Sequence, residues 1–206
     1  MDVTEVFRDF EHESFEQSPF PLLIDGIDTA FAPFIPTSIG RVISSLTHLG
    51  VGKDDVILDL GSGDGRCGNS MKCHPCLTLK RFCVAAVQKF GVKRAIGVEL
   101  EADLVDKSAE LSQKCGVPSY TNKEPEEEER GDIMDEGIQP VVSSPKVTAV
   151  IVYLCHEGAL ATQSLVLDHY ERGAVILAVS FPMLFASELQ LKFHDHQTNI
   201  WIYSKR

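Results

Sequence analysis

The chain has 206 residues, 44% of them apolar and 24% charged, which is enough for one domain with a sizeable core. A formal net charge of −11 lacks the basic surface that non-specific nucleic-acid binding requires, so no nucleic-acid partner is expected; a basic protein partner is compatible. No apolar run reaches the roughly 18 residues of a membrane span. The opening MDVTEVFRDFEHESF has acids scattered through it and predicts neither a secretory signal nor a transit peptide. A reducing, cytoplasmic setting is therefore expected, with the six cysteines as thiols.

Residues 1–35 read as an N-terminal arm, where Pro19, Pro21 and Pro33, with Pro36 just beyond, break any long helix. A single domain is expected over 36–206. Its first helix starts at Thr37 or Ser38 with a hydroxyl cap, carries Ile39, Val42, Ile43, Leu46 and Leu49 on one face, and ends at Gly50. DVILDL (55–60) is a buried strand running into a glycine turn, and RAIGVEL (94–100) is a second. An apolar helix over Phe82–Phe90 and a further helix over Glu101–Cys115 are predicted, stopped by Gly91 and Gly116. The stretch 121–146 reads as an acidic loop around NKEPEEEERGD. VTAVIVYL (147–154) and AVILAVSF (174–181) are strong strands that flank a helix at 157–170. LQLKF and NIWIYS, separated by HDHQT, close the chain as a hairpin. Alternating strands and helices predict an α/β, Rossmann-like, doubly wound and mostly parallel sheet with a C-terminal antiparallel hairpin.

The glycine turn DLGSGDGR (59–66) carries the chemistry. Glycine lets the backbone turn sharply and approach a ligand closely. The dinucleotide fingerprint is G-x-G-x-x-G, but Gly61 and Gly63 are followed by Gly65, with Arg66 at the third position of that fingerprint. Asp59 at the strand end would also repel a pyrophosphate, so a nicotinamide-dependent oxidoreductase is the weaker reading. Glu99 ends the next strand, where a carboxylate can accept both hydroxyls of a ribose. Either acid alone reads as an ordinary strand-end residue; together, after a G-x-G-x-G turn, they indicate an adenosine-type cofactor.

VILDLGSGDGR, AIGVELEADLV and TAVIVYL together resemble the class I, seven-strand S-adenosylmethionine-dependent methyltransferases. The narrower wording, LGSGDGR and GVELE, is similar to that of the small protein-lysine methyltransferases that modify the ATP synthase c-subunit and the adenine nucleotide translocase. FIPTS (34–38) resembles their Pro-Thr motif, which folds over the cofactor. The resemblance implies that Asp59, Gly61 and Gly63 line the methionine part of S-adenosylmethionine and that Glu99 holds the ribose. Asp132, in GDI, becomes a candidate for the adenine amine, although it reads equally as a solvated loop charge. A protein substrate with a lysine acceptor is the expected partner.

Methyl transfer to lysine needs alignment, exclusion of water and a neutral amine. A lysine pKa near 10.4 makes that neutral amine cost about 4–5 kcal/mol at pH 7. VYLCHEG (152–158) follows a strand at its ligand end, so Tyr153 is a candidate wall of the methyl channel. His156 stands near a position where the resembling family has proline, and is a candidate proton acceptor beside Glu157. The bland alternative makes Tyr153 core and His156 the start of a helix.

Residues 67–81 interrupt this plan. Without CGNSMKCHPCLTLKR the text joins as DLGSGDGRFCVAAVQKFG, a continuous strand, turn and helix. Three readings stay open: an extended loop that leaves the site intact, a metal site on Cys67, Cys73, His74 and Cys76, or an accident of splicing or gene modelling that leaves an impaired, methyltransferase-like binding module. A single C-x-x-C without a second pair argues against zinc, and no metal is expected.

Overall fold

In the computed structural model, the described residues are 38–60, 81–99, 129–130, 143–144, 146–154 and 156–205. The first helix, α1 (Ile39–Leu49), begins where the sequence places its cap: Ser38 Oγ accepts the Arg41 amide at 3.2 Å. It ends at Gly50, whose φ of 72° is the left-handed turn that glycine reaches most easily, and whose N–H bonds back to Leu46 and Thr47. Ile39, Val42 and Leu46 point inward, as their spacing of three and four requires.

Seven strands form one sheet: β1 (Val56–Leu60), β2 (Arg94–Glu99), β3 (Glu129–Arg130), β4 (Ala149–Val152), β5 (Val175–Val179), β6 (Leu191–Asp195) and β7 (Ile200–Tyr203). Their spatial order is β3-β2-β1-β4-β5-β7-β6. The first five in that order are parallel, and the β6–β7 hairpin adds antiparallel to β5. All five residues of β1 and all four of β4 are buried, which explains text that is apolar throughout except at Asp59.

Side chains alternate across this sheet and build a core on each face. Ile57, Ala149, Ile151, Leu177 and Ile200 meet α1 and α2 (Arg81–Phe90) through Val42, Leu46, Phe82 and Ala85. Leu58, Leu60, Val150, Val152 and Ile176 meet the other layer through Ala159, Val166, Tyr170 and Phe185. That layer holds α3 (His156–Ala161) and α4 (Gln163–Glu171).

Two elements depart from expectation. The helix predicted at 157–170 is two helices that meet at Thr162. Thr162 Oγ1 lies 3.1 Å from the Gly158 carbonyl and 3.2 Å from that of Ala159, a side-chain competition that bends helices. Within the 121–146 stretch expected as an acidic loop, Glu129–Arg130 forms β3, paired parallel to Val98 and Glu99 of β2. Its two residues are both charged, so no apolar periodicity announced it. The expected helix over 101–115, residues 67–80 of the inserted segment and the arm before Ser38 lie outside the described residues.

The amino ends of three strands are laced together. Thr148 Oγ1 donates to Asp55 Oδ1 at 2.7 Å and accepts the Val56 amide at 3.0 Å. Asp55 Oδ2 accepts the Gly52 amide at 2.8 Å, while the Val175 amide reaches the Thr148 carbonyl at 2.9 Å.

Candidate functional site

β1 and β4 are neighbours, and the next described helices in the chain, α2 and α3, pack on opposite faces of the sheet. Such a switch point leaves a crevice beyond the carboxyl ends of the strands, where open α/β sheets take their ligands. Asp59 is the penultimate residue of β1, 3% exposed, in register with Gly97 of β2 and Ile151 of β4. An acid so enclosed, one residue from the glycine turn, is unusual in a core strand. Glu99 ends β2 on the adjacent strand, opposite Arg130 of β3 in the backbone register. Asp59 and Glu99 therefore sit at the same end of neighbouring strands. Gly61, Gly63 and Asp132 lie outside the described residues.

Tyr153 follows β4 directly and is half-buried against the α1/α2 core. The Arg41 guanidinium carbon stands 5.9 Å from its ring centroid, within cation–π range. His156 opens α3, is exposed, and meets Phe181 edge-on with centroids 5.4 Å apart.

Arg41, which the sequence did not single out, stands beside Tyr153. It lies in the first turn of α1, where the helix dipole disfavours a cation. That misplacement is the one signal the text contained. Its Nη2 donates to the Asn199 carbonyl at 3.1 Å, which ties α1 to the turn between β6 and β7. Among the described residues its Nε–H is buried and has no acceptor. An unsatisfied buried donor costs about 1–3 kcal/mol, so the position favours an acceptor. Burial pulls the guanidinium below its ordinary value, and the Tyr153 hydroxyl opposes that shift.

Seven strands in this order, with an antiparallel hairpin at one end, are the class I methyltransferase fold. Three comparisons with known proteins bear on the chain. No family model matches it. Over 85 residues it is 31% identical to a protein-lysine N-methyltransferase of Saccharolobus islandicus, a stretch that covers 41% of this chain and 44% of that protein. The chain thus matches less than half the length of this curated relative. Among solved structures, an RNA methyltransferase from Salinibacter ruber in complex with S-adenosylhomocysteine superposes with a TM-score of 0.60 at 22% identity, over 82% of this chain and 93% of that one. A precorrin-8w decarboxylase from Methanobacterium thermoautotrophicum gives 0.53 at 12% identity, over 83% and 92%. At such identities these structures speak for the fold.

Proposed function

We propose that the chain is an S-adenosylmethionine-dependent methyltransferase acting on a lysine of a protein. The observation that carries the reading is the pairing of a buried Asp59 and a strand-ending Glu99 at the carboxyl ends of adjacent strands, beside the switch point and directly before the glycine turn. The orphaned Nε–H of Arg41 is a further feature that fits a ligand carrying an acceptor. S-adenosylmethionine would supply, when bound, a methyl already activated on a cationic sulfur. Asp59, Gly61 and Gly63 would hold its methionyl part, Glu99 its ribose and Asp132 its adenine amine.

With the donor already activated, the chain would need only to align the acceptor amine with the methyl group and keep water out. Tyr153 would wall the approach, its ring held against the α1/α2 core. His156 is exposed and so is free to take the proton that the amine must lose.

Similarity to a protein-lysine N-methyltransferase supports the lysine. Fold likeness to an RNA methyltransferase supports a second reading, RNA as substrate, which the net charge of −11 opposes. Incubating the purified chain with methyl-labelled cofactor and a cell lysate separates them. Label that resists RNase, yields to protease and is recovered as methyl-lysine is the expected result. RNase-sensitive label overturns the lysine assignment, and cofactor binding without any labelling favours the impaired-module reading.

A further inference from the structure

We propose that Arg41 is a cofactor-binding residue that grips the carboxylate at the methionyl end of S-adenosylmethionine. The inference rests on the cofactor reading above and adds a recognition element to it. In that cofactor the adenosine is neutral, the sulfonium and the ammonium are cationic, and the carboxylate is the sole anion. The acids at the strand ends, Asp59 and Glu99, suit the hydroxyls and the cationic groups and repel the carboxylate. A cation would complement it, and Arg41 stands beside Tyr153, directly after β4, the strand next to β1.

Its geometry suits the task. Asn199 and the Tyr153 ring fix the guanidinium from two sides. The buried Nε–H, with no acceptor among the described residues, remains for a ligand. Nη2 has two N–H groups, one of them given to Asn199, and Nε with Nη2 is one of the two-pronged edges by which arginine holds a carboxylate. Position in the first turn of α1 adds the positive end of the helix to the same attraction. A purely structural Arg41, bracing α1 against the hairpin, would have no reason to prefer one adenosine ligand over another.

That difference is the test. The full chain and its Arg41→Gln and Arg41→Lys variants are titrated calorimetrically with S-adenosylhomocysteine and with 5′-methylthioadenosine, which keeps the nucleoside and thioether but has no carboxylate. Arg41→Gln should weaken S-adenosylhomocysteine about 10- to 100-fold and leave 5′-methylthioadenosine within about twofold. Arg41→Lys, which keeps the charge but loses the two-pronged edge, should recover part of the loss. Equal losses for both ligands, or no loss for S-adenosylhomocysteine, overturn the assignment while leaving the cofactor reading intact. A wild-type chain that binds neither ligand removes the cofactor reading and Arg41 with it. Should circular dichroism show Arg41→Gln unfolded, the decision passes to Arg41→Lys, where a larger loss for the carboxylate-bearing ligand supports the proposal and an equal loss overturns it.

Discussion

Tyr153 and Glu99 divide the expected labour of the site, and their variants should separate it. Glu99→Ala should weaken cofactor binding by about 1–3 kcal/mol, the cost of leaving buried polar partners unpaired. Tyr153→Ala should lower turnover more than cofactor affinity; calorimetry beside single-turnover kinetics would check this, and an equal loss in both recasts the ring as packing. Tyr203 makes a prediction about pH. Burial raises its pKa, against the Met183 N–H that its hydroxyl accepts at 3.3 Å. A raised folded value favours the protonated phenol, so this contribution is complete below the unfolded value near 10 and is lost as pH rises through the folded one. Urea melts between pH 8 and 11 should therefore show a shallower alkaline decline for Tyr203→Phe than for the wild type. The placement of Asp59, Glu99 and Tyr153 was legible because each lies at or just beyond the end of an apolar strand. The setting of Arg41 was not, because its hydrogen bond goes to Asn199, 158 positions away, which no local pattern announces.

The elements obey local rules where local chemistry sets them. Ser38 and Gly50 bound α1 as the text predicts, since caps are written in the residues themselves. Gly50→Ala should cost about 1–2 kcal/mol by thermal melting, the penalty of left-handed backbone for a residue with a Cβ. An added Cβ meets nothing within 4 Å, so the loss would report backbone alone. Strands are shorter than their apolar text: VTAVIVYL contributes only Ala149–Val152 to the ladder. Apolar composition marks what is buried, and pairing partners decide what is strand. The division at Thr162 was illegible for a related reason, because a hydroxyl that bonds back along a helix leaves the apolar period undisturbed.

At the scale of the molecule, alternation of strand and helix was enough to predict the parallel sheet and its closing hairpin. The edge strand β3 escaped, since two charged residues carry no burial signal. The inserted stretch between β1 and α2 can be judged by deletion. Removing 67–81 should change cofactor affinity by no more than about threefold if the stretch is an extended loop; a gain of tenfold or more would mark it as an impediment (about 1.4 kcal/mol). The lacing of Asp55, Thr148 and Val175 bears on how such a stretch is tolerated at all. These bonds fasten the sheet at its amino ends, through residues that do not belong to the rim that carries the glycine turn. Lineages sharing this architecture would then be at liberty to lengthen, shorten or exchange what hangs from that rim, and to acquire new specificities without refounding the domain beneath.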